Sequence, residues 1–346
     1  MRAGPSLLVA VLAAGCGSTS SPAATTGDGA DASSDAAEEP LPPACSETDP
    51  RSPPVQLLVM PDAGQGPFVA SLQKATQSIR VLSYDLGTGG ILSTLESQAK
   101  AGVDVHVILD TSEQSFDQPA FDALQAAGAS VEWSASQFTY MHAKAFVVDG
   151  KEAVISSGNF VLSQMQEERN FAVIDDDPQD VSVLAALIDA DWARMSPDLS
   201  CTRLLVSPVN SKARILSLIQ SARTSLDIES MEFADTDVQA AVLAANKAGI
   251  AVRVLIADLG FVPSNSSAEQ FMKNFSIPGK TLADPVLHVK AIVVDGARAY
   301  LGSENLSYTS LTENREVGVE LVAANGEDVA TMEATFEADW AKGSTF

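Results

Sequence analysis

Two short stretches of this chain carry residues that could do chemistry together. The first holds His142, Lys144 and Asp149-Gly150, and the second holds His288, Lys290 and Asp295-Gly296. Each reads His-x-Lys-x4-Asp-Gly around an apolar centre with a Val-Val pair. Ten residues past each Asp stands an Asn, Asn159 or Asn305, with Ser157 or Ser303 two places before it. Two of the three histidines lie in these copies. The residue types suit reaction at a phosphodiester. That group is an anion and resists attack by another anion, so a neutral imidazole is a suitable nucleophile, and a covalent intermediate splits one hard step into two. A second, protonated imidazole can give its proton to the leaving alcohol and later take one from water. Both roles suit a side chain that titrates near neutrality. Lys144 and Lys290 supply charge, and Asn159 and Asn305 supply amide donors, for the oxygens of a pentacoordinate transition state.

The elements that must position these residues are themselves duplicated, at a nearly constant offset. Residues 57–61 match 204–208. A helical segment follows in each half (67–77 and 212–223), then a strand (78–84 and 225–231) alternating apolar with polar at first. A second helix (90–100 and 237–247) ends Lys-Ala-Gly in both copies, where Gly suits a helix C-terminus. The near-continuous apolar runs 103–110 and 250–258 suit strands covered on both faces. Each half then has its His/Lys strand, a Ser-x-Asn turn, a further strand (171–174 and 317–322) and an acidic helix containing Asp191-Trp192 or Asp339-Trp340. The tryptophans are expected to pack in the core or between halves. This pattern predicts an α/β protein of two similar domains, 51–199 and 200–346, each a mixed β-sheet flanked by helices. Packing about a pseudo-two-fold axis would bring the two His-x-Lys stretches together.

One such motif is weak, since three residues coincide by chance. Two at equivalent positions of a duplicated chain, each with its Ser-x-Asn, resemble the phospholipase D superfamily, the HKD phosphodiesterases, over residues 55–342. The resemblance implies the phospholipase D fold and a reaction that needs no metal and no cofactor. It implies His142 as nucleophile and His288 as acid/base, with Asp149 and Asp295 structural and away from the phosphate. In the family a carboxylate after the Asn commonly orients a catalytic His. The second half reads Asn314-Arg315-Glu316 there, and the first reads Glu168-Arg169-Asn170. Glu316 can accept from one imidazole nitrogen and fix the tautomer. Asn170 can accept too, but adds no charge, and is grouped with the structural motif residues. Ser157 and Ser303 either bond near the site or cap the following turn. His106 lies in a strand outside the motifs and reads as structural or surface.

Composition bounds the partners. The formal charge is −24, from 21 Lys+Arg against 45 Asp+Glu. That balance argues against salt-driven nucleic-acid binding, which uses Lys and Arg to neutralise phosphates. At the N-terminus, Arg2 precedes an apolar run (7–14) too short to span a bilayer. The run ends at Cys16 and resembles a bacterial lipobox, although Ala13 stands where Leu is usual. Cys16 would then be lipidated, and Gly17 after it favours the outer membrane, so an exported envelope lipoprotein is expected; a plain secretory signal is the alternative. Residues 17–50, rich in Ser, Ala and acidic residues, read as a flexible tether. Cys45 and Cys201 precede similar stretches, and an exported compartment permits a disulfide between them; two unrelated thiols are the alternative. The remaining Cys and the three His show no metal-ligand spacing.

Three functions fit. The first is a phospholipase D-type hydrolase of glycerophospholipid headgroups, acting on the membrane that the lipid anchor would reach, with no protein partner. The second is a nuclease of the same superfamily, which would need a basic track to the histidines. The third is a non-catalytic lipoprotein that binds anionic headgroups. The segment from Phe261 to Phe275 reads as a long, turn-rich loop carrying aromatics, either lipid-contacting or packed on its own domain.

Overall fold

The computed structural model describes Ser46 and residues 48–346. The signal-like segment with Cys16, nearly all of the tether, and Cys45 lie outside the described residues. Among the described residues no helix is long and apolar enough to cross a membrane. The first half runs β1 (Gln56–Met60), α1 (Gly66–Gln73), β2 (Ser78–Ser83), α2 (Gly90–Lys100), β3 (Asp104–Leu109), α3 (Gln114–Ala127), β4 (Ser130–Trp133), β5 (Lys144–Val148), β6 (Glu152–Ser156), α4 (Leu162–Glu167), β7 (Glu168–Asp175) and α5 (Pro178–Trp192). The second runs β8 (Leu204–Ser207), α6 (Ser211–Ser221), β9 (Ser225–Ser230), α7 (Thr236–Lys247), β10 (Ala251–Ala257), α8 (Ser266–Phe275), β11 (Gly279–Leu282), β12 (Val286–Leu287), β13 (Lys290–Val294), β14 (Arg298–Gly302), α9 (Tyr308–Thr312), β15 (Glu316–Val322), α10 (Val329–Lys342) and β16 (Ser344–Thr345).

The duplication expected from sequence is a duplication of topology. The first sheet is ordered β1-β7-β6-β5-β2-β3-β4, and the second β8-β15-β14-β13-β9-β10-β11-β16. In both, three successive strands (β2, β3 and β4; β9, β10 and β11) pair in parallel and the motif strand opens an antiparallel run, so each sheet is mixed. The motif strands lie in the middle. In β5, Phe146 and Val148 join the core under the outer helices, while Ala145 and Val147 join a core shared by both halves. In β13, Ile292 and Val294 point outward and Ala291 and Val293 inward in the same way. Burial on both faces explains why the motif's interior is apolar at every position. The shared core also takes in α5 and α10, with Trp192 and Trp340 packed at its edge.

One expectation changes. The Phe261–Phe275 segment is chiefly helical, because Ala268 and Met272 sit on one face of α8 and are buried against the second half's core. Phe261 and Phe275 remain exposed. Residues 49 and 50 are held by the fold, the carbonyls of Asp49 and Pro50 accepting from Arg203. Arg51 next to them is buried and ties the halves together. It pairs with Asp180 at 2.7 Å and Asp175 at 3.1 Å in the first half, and with Glu327 at 3.4 Å in the second. Cys201 is disulfide-bonded; Cys45 being outside the described residues, its pairing with Cys201 stays an expectation.

Candidate active site

A strand's two-residue period puts His142 and Lys144 on one side of the chain, and His288 and Lys290 likewise. Both lysines are fully buried. Each Nζ donates to the carbonyl of its own motif histidine, at 2.5 Å in both copies. The motif then leaves β5 or β13 through a turn in which Asp149 and Asp295 adopt φ of 53° and 55°. Asp is one of the few residues that tolerate this left-handed backbone. Its carboxylate also closes the turn onto the chain entering β2 or β9. Asp149 accepts from the amides of Thr76, Gln77 and Ser78, and Asp295 from those of Arg223, Thr224 and Ser225. Partial burial opposes ionisation, yet these bonds bring both carboxyls down to about 2. Neither aspartate has a contact with a motif histidine; their work is on the turns.

The two halves meet through a reciprocal exchange. The backbone before each histidine pairs in parallel with the other half's strand: β12 with the start of β7, and Met141 with Arg315. The amide of His142 donates to the carbonyl of Arg315 at 2.9 Å, and that of His288 to the carbonyl of Arg169 at 3.2 Å. Each of these arginines is anchored from both halves. Arg315 bonds the carbonyl of Ser207 and forms a bidentate pair, 2.8 and 2.9 Å, with Asp191 at the end of α5. Arg169 bonds the carbonyl of Met60 and pairs with Asp339 at the end of α10. The Asp of each Asp-Trp pair is therefore an inter-half tie.

The exchange carries the catalytic partners across. His142 Nδ1 lies 2.8 Å from Glu316 Oε2. A carboxylate can only accept, so Nδ1 carries the hydrogen and Nε2 is free for the substrate. Glu316 is fully buried, which raises its pKa, but the charges of His142 and Lys144 and their bonds outweigh burial and hold it below the ordinary value. Its other oxygen accepts from Ser310 at 2.6 Å and Asn314 at 3.0 Å. In the other direction His288 Nδ1 lies 3.1 Å from Asn170 Oδ1, and Asn170 Nδ2 donates to Glu168 at 3.1 Å. Asn170 is thus a partner of His288 and not merely structural. The missing charge is also close by: Glu168 Oε2 stands 3.4 Å from His288 Nδ1. Glu168-x-Asn170 and Asn314-x-Glu316 are one acid–amide pair with its order reversed. In one half the amide faces the histidine and the acid backs it; in the other the acid faces it.

Ser157 donates to Asn170 Oδ1 at 2.8 Å and accepts from the amide of Phe171, while Ser303 accepts from the amide of Val317. Ser157 thus supports a histidine partner directly, and Ser303 holds the equivalent strand. Asn159 donates to Asp85 at 2.9 Å. Asn305 and Asn159 each keep a buried side-chain oxygen without a partner among the described residues. Burial lowers Lys144 to about 7, against the pull of Glu316, and lowers Lys290 to about 8, against that of Glu168. Burial also lowers both histidines; for His288, Lys290 and Lys144 add to the effect and carry it well below the usual value. The neighbouring positive groups favour neutral imidazoles, and a bound phosphodiester would reverse that field. His106 lies apart, paired with Asp104 at 3.1 Å and set against the Trp192 ring.

His142 retains 13% of its side chain exposed. That edge opens onto a cavity of about 530 Å3 whose lining also includes Asn305, Glu232, Tyr84 and Tyr140. Sequence reasoning missed Glu168, Asn314, Glu232, Tyr84 and the two arginine–aspartate ties. The reversed triplets were a usable sign of the first two. Matching places in the two copies marked the residues of the ties, and nothing in the sequence marked Glu232 or Tyr84.

Known proteins agree with this architecture. The family described as "Cardiolipin synthase, PLD-like domain" matches twice, at residues 68–192 and 215–340. This chain therefore belongs to the phospholipase D-like family. It is 39% identical over 69 residues to the 5'-3' exonuclease PLD4 of Mus musculus, covering 20% of this chain and 13% of that protein. It is 31% identical over 80 residues to the mitochondrial cardiolipin hydrolase of Danio rerio, covering 23% of this chain and 35% of that one. The chain thus spans well under two thirds of either relative's length. The phosphatidylserine synthase structure from Haemophilus influenzae Rd KW20 superposes with a TM-score of 0.65 at 13% identity, over 86% of this chain and 89% of the other, a likeness of fold.

Proposed function

We propose that this protein is a phosphodiesterase that hydrolyses glycerophospholipids at the headgroup ester, leaving phosphatidic acid. The observation that carries the reading is the pair of motif histidines, each held at Nδ1 by an acceptor from the opposite half and flanked by a buried lysine. His142 Nε2 attacks phosphorus, and its Glu316 partner stabilises the positive charge that the imidazole ring gains on phosphorylation. His288 gives its proton to the leaving alcohol. Its direct partner is an amide and the Glu168 carboxylate is farther off at 3.4 Å, so the charged ring is stabilised less than one bonded directly to a carboxylate, which suits an acid. His288 then takes a proton from water, the hydroxide attacks phosphorus, and His142 is released. Lys144 and Lys290 balance charge on the phosphate oxygens, with Asn305 as a further donor. An N-terminal lipid anchor at Cys16 would hold this site at a membrane of the cell envelope.

The test is to trap the phospho-enzyme from phosphatidylethanolamine labelled at phosphorus. Label is expected on the wild type and not on His142→Asn; on His288→Asn it should form slowly for want of the acid and persist, since the same residue activates the water. Label that survives His142→Asn would overturn the assignment. A nuclease reading has the local match to an exonuclease in its favour. Against it, the cavity lining carries no Lys or Arg to track a polynucleotide. Turnover of single-stranded DNA above that of phospholipid vesicles would establish it instead.

A further inference from the structure

We propose that Glu232 makes the cavity beside the histidines a subsite for a cationic, amine-bearing headgroup. The inference rests on the phospholipid reading above and narrows it to a substrate class. Glu232 is the second-half counterpart of Asp85, and the two are used differently. Asp85 is buried and accepts from Asn159 at 2.9 Å. Glu232 is one methylene longer and half-buried, and it lines the cavity. Among the described residues, the one hydrogen bond it receives goes to its backbone carbonyl, from Ser230, and its charge acts on Lys290 without a direct ion pair. A cavity carboxylate with no donor bonded to it is a ready acceptor for an ammonium group.

The surroundings fit that ligand. Beside His142, Glu232 is the one charged group in the lining, which is otherwise amide, hydroxyl and aromatic. Tyr84 and Tyr140 form the aromatic part, edge to face with centroids 6.1 Å apart. Lys144 already lies over the Tyr84 ring at 5.0 Å, so Tyr140 is the ring left to attract an ammonium ion. A headgroup with further phosphates would meet the negative charge of Glu232. Position agrees as well. Glu232 lies two residues past Ser230, which pairs with Lys290 in the sheet. The carboxylate is near enough to raise the pKa of Lys290, which sets it toward the His288–Lys290 half of the site, where the leaving alcohol receives its proton. An amino alcohol leaving there would carry its ammonium toward Glu232.

The experiment compares kcat/KM for dihexanoyl phosphatidylethanolamine and dihexanoyl phosphatidylglycerol in wild type, Glu232→Gln and Glu232→Asp. The wild type is expected to favour ethanolamine. Glu232→Gln should lower the ethanolamine-to-glycerol ratio roughly tenfold, and Glu232→Asp less. A ratio unchanged in Glu232→Gln, or a wild type that favours glycerol, would overturn the subsite. If neither lipid is turned over but bis(p-nitrophenyl) phosphate is, the phospholipid reading fails by itself. Ethanolamine inhibition of that reaction, weakened in Glu232→Gln, would still uphold the subsite, and its absence would remove it. If no diester is hydrolysed, calorimetric titration with phosphoethanolamine and glycerol phosphate decides. Tighter binding of phosphoethanolamine, lost in Glu232→Gln, supports the subsite, and equal binding rejects it.

Discussion

His142 and Glu316 lie 174 residues apart in the chain and 2.8 Å apart in space, on opposite sides of the boundary between the duplicated halves. Neither half contains a complete histidine with its partner. The isosteric change Glu316→Gln keeps an acceptor for Nδ1–H and removes the charge. We expect kcat to fall on the order of 10²-fold, within the range of acid–base and nucleophile activation, with KM little changed. Steady-state kinetics on a soluble diester would measure it; an unchanged kcat would remove Glu316 from the reaction.

The pH profile has a defined sign. Nucleophilic His142 must be neutral, and its pKa is lowered by burial, so activity should persist below the usual imidazole range before declining in acid. The lysines must be charged to hold an anionic substrate, and burial brings Lys144 to about 7 and Lys290 to about 8. His288 must be protonated as the acid and is itself held down by burial, Lys290 and Lys144, so kcat/KM should fall as pH rises and be largely lost beyond 7 to 8. A basic limb above pH 9 would show that the lysines keep their ordinary values.

The arginine–aspartate ties should dominate the stability of the inter-half contact. Asp191→Asn or Asp339→Asn leaves a buried guanidinium without its counter-charge, a change that typically costs about 3–5 kcal/mol. The same arginines offer their carbonyls to the amides of His142 and His288, so activity should decline along with thermal stability. Unfolding curves with full stability retained would show that the packing between halves carries the contact alone.

Asp149 and Asp295 should affect stability with little effect on chemistry. Asp149→Ala removes the acceptor for three amides and should destabilise by about 1–2 kcal/mol at neutral pH. The folded carboxyl titrates at about 2, below the ordinary value of 3.8. Its contribution is therefore complete above the unfolded pKa and is lost as pH falls through the folded one. The gap in stability between wild type and Asp149→Ala should close between about pH 4 and 2. A gap that persists at the lower end would mean the turn geometry, not the charge, is responsible.

Gly158 sits where a side chain would displace a histidine partner. A Cβ there would come within 2.6 Å of the Asn170 side chain. Gly158→Ala should push Asn170 away from His288 and lower kcat roughly tenfold. Wild-type kinetics in this variant would show that His288 does not depend on Asn170.

Much of this was legible in the residues. The repeat of His-x-Lys-x4-Asp-Gly, the matching helices and strands, and the apolar motif strands follow from local periodicity. Duplicated topology, central motif strands and turn-closing aspartates come with them. The helix α8 was missed because aromatics and turn residues masked a short amphipathic face. Asn170 looked like an unpaired loss of charge because only the third position of each triplet was compared. Glu168, on the same face two residues earlier, holds the carboxylate.

By itself the sequence determined which residues could do chemistry and that they come in two copies, since residue type and spacing along a strand are local properties. Only the tertiary structure decided which partner serves which histidine. The backbone exchange at Met141–Arg315 and Leu287–Arg169 carries each motif onto the opposite half. Equivalence within a repeat pairs each histidine with its own half, whereas packing two halves about a common axis pairs it with the other. No spacing along the chain can record that choice, nor that Asp85 is tied down while Glu232 is left open to the cavity.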